Sequence, residues 1–66
     1  MSIGEKIKEL RSERNLSQAQ LGGLIGVSQK AVAFWESDTN EPRVGYVLAL
    51  IRALDITYED FFEDID

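Results

Sequence analysis

The sequence predicts an all-α domain built from five short helices, and three observations lead to this fold class. Apolar residues recur at steps of three and four, and no stretch alternates between apolar and polar residues as a strand would. Serine or threonine stands directly before four of the five periodic stretches, where a helix N-cap is expected. The chain has 66 residues, no cysteine and no histidine, so packing alone must stabilise a single domain, residues 1–66.

The first helix is predicted over the stretch SIGEKIKELRSERN, in which Ile7 and Leu10 belong to an apolar stripe. Ser2 stands at its N-cap, and Glu5 lies three residues later, as a capping box requires. The sequence alone therefore predicts both hydrogen bonds of this reciprocal cap.

The second and third helices are predicted over QAQLGGLI and QKAVAFWE, after the N-caps Ser17 and Ser28. The short joint between them forces the two helices to cross steeply. Gly26 lies where the chain leaves the second helix, and a left-handed conformation there carries no Cβ penalty.

The stretch SDTNEPR is predicted to be a loop because it is rich in turn-forming residues and contains a proline. A fourth helix follows, with its apolar stripe on Val44, Val47, Leu50, Ile51 and Leu54. Thr57 is the predicted N-cap of a short fifth helix, YEDFFED, whose early acidic residues suit the positive end of the helix dipole.

The net charge of −5 argues against indiscriminate binding of nucleic acids, because such affinity comes from lysine and arginine neutralising phosphates. The charge is unevenly distributed. Residues 1–35 hold five basic and three acidic side chains, and residues 36–66 hold two basic and nine acidic ones. One end of the domain is therefore suited to face an anion. With a charged N-terminus and no apolar run near ~20 residues, the chain is predicted to be cytoplasmic, without membrane contact.

Residues 17–36, SQAQLGGLIGVSQKAVAFWE, resemble the helix-turn-helix of the Cro/cI-type repressors, the group often called XRE-like. The residues that carry the resemblance are Gln18, Leu21, Gly22, Ile25, Gly26, Val27, Ser28, Val32, Trp35 and Glu36. The wider helix order also fits, over roughly residues 4–62. The resemblance implies a lambda-repressor-like DNA-binding domain, in which a small residue at position 22 lets helices two and three approach closely. No such role explains Gly23.

The resemblance makes helix three the recognition helix, whose N-terminal part reads base edges in the major groove. The base-contacting residues are then Ser28, Gln29, Lys30, Ala33 and Phe34. Gln29 suits adenine, Lys30 suits a guanine edge or a phosphate, and the two apolar residues suit thymine methyl groups. An ordinary solvated helix face is the alternative for Gln29 and Lys30. Phe34 stands where the family usually has a polar base reader, and a protein-binding surface or partial burial are its alternatives.

The predicted phosphate-contacting residues are Gln18, Ser37, Thr39, Asn40 and Arg43. Gln18 begins helix two, where free backbone N–H groups favour an anion, and its side chain equally suits capping. Asp38 and Glu41 have the wrong sign for a nearby phosphate and predict weaker binding than in basic relatives. The resemblance also implies an ion pair between Arg11 and Glu36, which would otherwise be two separate surface charges.

Apolar residues near the C-terminus are candidates for a two-fold interface, and closure of the monomer core is their alternative role. They are Tyr46, Tyr58, Phe61, Phe62 and Ile65. A homodimer, formed in solution or only on the DNA, would set two recognition helices about one DNA turn, ~34 Å, apart.

The predicted function is that of a sequence-specific DNA-binding transcriptional regulator of the repressor type. It would bind a pseudo-palindromic, double-stranded operator through helix three. The alternative is a protein-interaction module that keeps the fold and no longer binds DNA. The sequence shows no nucleophile–base arrangement, phosphate-cradling loop or metal-ligand spacing, so we expect no enzymatic activity, cofactor, metal ion or small-molecule ligand.

Overall fold

The computed structural model describes residues 1–66 and consists of five α-helices without a strand. The helices are α1 (Ile3–Glu13), α2 (Gln18–Ile25), α3 (Gln29–Glu36), α4 (Val44–Ala53) and α5 (Tyr58–Phe62). The predicted all-α, five-helix class is therefore confirmed. Helix α5 is shorter than predicted, because the backbone of Glu63 is already extended, with φ −61° and ψ 135°. None of the five helices combines the length and the apolar character needed to cross a membrane.

The predicted N-caps are present at the start of four helices. The capping residues are Ser2, Ser17, Ser28 and Thr57, and each side-chain oxygen accepts a hydrogen bond from the backbone N–H three residues on. Two of these caps are reciprocal, since the side chains of Glu5 and Gln20 accept hydrogen bonds from the backbone N–H groups of Ser2 and Ser17. The hydrogen bond from the Ser2 backbone lowers the pKa of Glu5 by stabilising its carboxylate.

A tight turn joins α2 to α3, and two glycines make it possible. Gly26 adopts the predicted left-handed conformation, with φ +77°. Gly22 is buried, and a Cβ atom there would lie 2.7 Å from the carbonyl oxygen of Val27. The small residue at position 22 is therefore required by the chain entering α3. A Cβ atom on Gly23 would meet no other atom within 4 Å, so neither crowding nor a special backbone conformation requires glycine there.

The hydrophobic core lies where all five helices meet. Its members are Ile7, Leu10, Leu21, Val32, Trp35, Leu50, Ile51, Leu54 and Phe61. The prediction that Phe61 lies at a dimer interface is wrong, because its side chain is fully buried in this core. Ile65 is half-buried and packs against the same cluster. Both residues therefore help to close the monomer, whereas Phe62, the neighbour of Phe61, is 47% exposed.

An ion pair connects α1 to the end of α3. The Nε and Nη2 atoms of Arg11 donate to the two carboxylate oxygens of Glu36, over 2.7 and 2.9 Å. The Nη1 atom of the same guanidinium donates to the backbone oxygen of Leu16 over 2.8 Å. The side chains of Arg11 and Glu36 are only 14% and 4% exposed. Hydrogen bonding to Glu36 raises the pKa of Arg11.

Replacing each glycine of the pair at positions 22 and 23 with alanine should have opposite effects on stability. Gly23→Ala should raise the free energy of unfolding by about 0.5–1 kcal/mol, because the helix gains propensity without a clash. Gly22→Ala should lower the free energy of unfolding, because crowding around the new Cβ atom costs about 1–3 kcal/mol, more than the gain in helix propensity. Urea denaturation of both variants measures the difference. A Gly22→Ala protein as stable as Gly23→Ala would show that the turn has room for a methyl group.

Removing the carboxylate of Glu36 should destabilise the fold strongly. Glu36→Gln should cost about 3 kcal/mol, since it leaves the guanidinium of Arg11 buried without its counter-charge. Glu13→Gln is the matched control, because Glu13 is 61% exposed and lies 3.7 Å from Arg14 in a surface pair. That control should lose about 0.5 kcal/mol or less. Equal urea midpoints for the two variants would contradict a structural role for the buried pair.

Candidate nucleic-acid interface

Helix α3 turns one side to the core and the other to solvent. Val32 is fully buried and Trp35 is only 6% exposed, so these two residues anchor the helix to the core. Gln29 and Lys30 are exposed on the outer side, and Phe34 is 37% exposed one turn further along. The predicted base-contacting residues therefore form one outward surface, in which Ala33 is half-buried and Ser28 also serves as the N-cap.

The end of α3 and the loop that follows it are joined at one backbone atom. The carbonyl oxygen of Phe34 accepts hydrogen bonds from the backbone N–H groups of Thr39 and Asn40, over 2.9 and 3.2 Å. It also accepts one from the hydroxyl of Ser37, over 3.2 Å. The loop is therefore held in a defined position relative to the outward surface of α3.

Among the predicted phosphate-contacting residues of this loop, two are already engaged. The hydroxyls of Ser37 and Thr39 lie 2.8 Å apart. Because a hydroxyl carries one hydrogen and Ser37 donates to Phe34, the hydrogen of Thr39 points to Ser37. The side chains of Asn40 and Arg43 are exposed and make no hydrogen bond within the protein. They are the available donors of this region.

Gln18, at the start of α2, belongs to the network around Glu36. Its side-chain amide donates over 3.1 Å to the carboxylate oxygen that also accepts from Nη2 of Arg11. The capping role that the sequence allowed for its side chain is filled by Ser17 and Gln20. The side-chain amide of Gln18 keeps one hydrogen without a partner, and at the capped start of α2 the backbone N–H groups of Gln18 and Ala19 also have none, which favours an anion there.

Asp38 has a structural role that the sequence analysis missed. Its carboxylate accepts hydrogen bonds from the hydroxyl of Ser2, over 2.7 Å, and from the backbone N–H of Gly4, over 3.3 Å. Asp38, whose negative charge the sequence analysis set against a nearby phosphate, is therefore bound to the start of α1. No short-range motif marks this contact, since the partners are more than thirty residues apart.

Several acidic side chains line a groove formed by α1, α5 and the segment between α4 and α5. They are Glu9, Glu13, Asp55, Asp60 and Glu63, and the groove includes no residue of α2 or α3. Lys6 also lines it, with a side chain only 8% exposed and its Nζ atom 3.8 Å from Glu9. Arg14 lines the groove as well, so five of the 12 acidic and two of the 7 basic side chains of the chain lie there, apart from α2 and α3.

Two of the candidate interface residues are exposed together on α5. Tyr58 and Phe62 are one turn apart and 59% and 47% exposed. Tyr46 on α4 is 41% exposed, but its ring leans on Trp35, with 5.6 Å between ring centroids. The ring of Phe62 also packs on a core ring, since its centroid lies 5.1 Å from that of Phe61, so Tyr58 offers the freest aromatic surface and Phe62 adds its exposed part.

Comparison with known sequences identifies a protein family and several relatives of this chain. The helix-turn-helix family model matches residues 7–61. Repressor protein C2 of Salmonella phage P22 is 40% identical over 52 residues, which are 79% of this chain and 24% of that protein. The uncharacterised HTH-type transcriptional regulator y4aM of Sinorhizobium fredii is 35% identical over 63 residues, 96% of this chain and 44% of that protein. The chain thus spans less than half the length of either relative.

Solved structures show the same likeness. The P22 c2 repressor in complex with a synthetic operator has a TM-score of 0.86 and 33% identity, with 96% of each chain covered. The restriction-modification controller protein C.AhdI of Aeromonas hydrophila has a TM-score of 0.85 and 32% identity, with 91% of each chain covered. Together with the family match over residues 7–61, these likenesses establish that the chain belongs to the XRE-like helix-turn-helix family and has the lambda-repressor-like fold.

Proposed function

We propose that this chain is the sequence-specific DNA-binding unit of a transcriptional regulator of the repressor type, and that it inserts α3 into the major groove of a pseudo-palindromic operator. The observation that carries the proposal is the outward surface of α3. Gln29, Lys30 and Phe34 are exposed on a helix whose other side is buried, so their side chains are free to reach base edges.

Phosphate contacts on both sides of α3 would position it in the groove. At one end, the free amide hydrogen of Gln18 lies at the N-terminus of α2. At the other, Asn40 and Arg43 offer donors that no protein group uses. Ser37 and Thr39 act indirectly, because their hydroxyls hold the loop in place. The acidic groove includes no residue of α2 or α3, so its charge does not lie on this surface, although Glu41 lines one pocket with Asn40 and Arg43.

The relatives support the same function. The P22 c2 repressor, with which this chain shares its fold, is known in complex with a synthetic operator. Other relatives are named as HTH-type transcriptional regulators, and one from Enterococcus faecalis is named as an activator. Repression is the role we propose here because the P22 protein is a repressor. The DNA contacts proposed above are compatible with either repression or activation.

We further propose that the chain binds its operator as a homodimer through Tyr58 and Phe62 of α5. Both side chains are exposed on the same side of a short helix, since they are one turn apart. A homodimer on a pseudo-palindromic operator would hold its two copies of α3 about 34 Å apart, on successive turns of one face of the DNA.

Binding to DNA should depend on salt in a way that identifies the phosphate contacts. We expect fluorescence anisotropy with duplexes from the region upstream of the gene to show log K falling linearly with log salt concentration. Arg43→Ala should reduce the magnitude of this slope by about one, because one phosphate contact is lost. Arg52→Ala is the matched control, since Arg52 is equally an exposed arginine but lies at the end of α4.

An unchanged slope in Arg52→Ala would assign the loss to the position of Arg43 rather than to net charge. If the wild-type protein binds no duplex at low salt, the DNA-binding proposal is wrong. The protein-interaction alternative, favoured by the net charge of −5 and the exposed Phe34, would then take its place.

Dimer formation should depend on α5. Tyr58→Ser should weaken self-association, or lower the stoichiometry on an operator duplex from two chains to one, because it removes an exposed aromatic side chain from the interface. Leu24→Ser is the matched control, since Leu24 on α2 is also 59% exposed and apolar. Sedimentation velocity of the free and DNA-bound proteins measures both states. A wild-type protein that stays monomeric in both states would refute the dimer.

A further inference from the structure

Lys30 and Phe34 are in contact on the outward surface of α3. The Nζ atom of Lys30 lies 5.6 Å from the centroid of the Phe34 ring, within the range of a cation–π interaction. The two residues are four positions apart, so successive turns of the helix place them side by side. Lys30 makes no ion pair in this structure, so its ammonium group is not drawn toward a carboxylate.

The surroundings of the pair restrict where its side chains can go. Val32 and Trp35 occupy the buried side of α3, and the carbonyl oxygen of Phe34 is held by the loop. The Phe34 ring therefore stays on the outer side, with the ammonium group over one face. Phe34 is 37% exposed, so part of its surface remains available to a ligand. Because each side chain limits the freedom of the other, less ordering is needed when a ligand binds.

The two groups recognise different features of a base pair. An ammonium group has three donors and no acceptor, which suits the O6 and N7 atoms of guanine. A phenyl ring has only apolar surface to offer, which suits the C5-methyl group of thymine in the major groove. The separation of 5.6 Å lies between one and two base-pair rises of about 3.4 Å. This separation suits contacts to two nearby base pairs.

Building on the proposed DNA-binding function, we propose that Lys30 and Phe34 act together as a reader of a guanine and a 5-methylpyrimidine one or two base pairs apart. Phe34 recognises the methyl group itself, and Lys30 recognises the guanine. Thymine supplies this methyl group in unmodified DNA, and 5-methylcytosine carries the same group at the same position of the ring. The chain therefore distinguishes bases by a methyl group at this point, where a polar side chain would distinguish them by hydrogen bonds.

The test begins with a pool of duplexes of random sequence, from which the wild-type protein enriches a binding site. Each thymine of that site is then replaced singly with deoxyuridine, which removes only the methyl group. At one thymine in each half-site we expect the dissociation constant to rise about fourfold, the effect of one buried methyl group. At the same position, 5-methylcytosine should bind about fourfold more tightly than cytosine.

Variants assign the effect to the pair. In Phe34→Ala and Phe34→Gln, thymine and deoxyuridine should bind equally at that position. In Lys30→Met, discrimination of the nearby guanine should fall about tenfold, as expected for a lost base contact. Arg52→Ala, outside the interface, should keep the wild-type ratio at every position. Circular dichroism and urea denaturation of each variant separate these effects from loss of fold.

The outcomes separate this inference from the function on which it rests. A wild-type protein that binds the enriched site but is indifferent to every deoxyuridine overturns the methyl reader and leaves DNA binding intact. A methyl effect that persists in both Phe34 variants also overturns it, because another residue would then read the methyl group. Failure to enrich any site would refute the DNA-binding function itself.

Discussion

The rest of the structure depends on the contact between the guanidinium of Arg11 and the carboxylate of Glu36. Its two parallel hydrogen bonds fix the angle between α1 and the end of α3 as well as their distance. The side-chain amide of Gln18 donates to the same carboxylate and so connects α2 to it. Arg11 also donates to the backbone oxygen of Leu16, just before α2. One acidic side chain thus orients three helices in a domain whose apolar core has only nine residues.

Helix caps and a tight turn also fix the positions of α2 and α3. Serine caps set the first residues of α2 and α3, and the left-handed Gly26 turns the chain between them. The buried Gly22 lets this turn lie directly on α2. Asp38 then ties the loop after α3 to the start of α1, while Thr39 and Asn40 bind it to Phe34, so the first half of the loop is held to both helices. Apart from Ser28, whose hydroxyl caps α3, the exposed side chains of the outward surface make none of these supporting contacts.

Apart from the Arg11–Glu36 ion pair, which the family resemblance implied, the features predicted correctly from the sequence have short-range causes. Caps, capping boxes and the turn at Gly26 depend on residues within a few positions of each other, so a pattern reveals them. The burial of Phe61 could not be read this way, because a helix of five residues is too short to show which side faces inward. The role of Asp38 depends on a contact across the fold. The contact of Lys30 with Phe34 does have a local signal, the spacing of four residues, but spacing alone does not distinguish a contact from two independent side chains.

The separation between scaffold and outward side chains has a consequence for divergence within the family. Gln29 and Lys30 contribute neither to the core nor to the buried ion pair, and the backbone of Phe34 holds the loop through an atom that every residue type possesses. If α3 binds DNA as proposed, mutations at these three positions would change the preferred operator without removing a core or ion-pair contact. On the same proposal, paralogues in one genome would acquire separate targets through changes at a few surface codons, while the contacts that hold the fold stay the same.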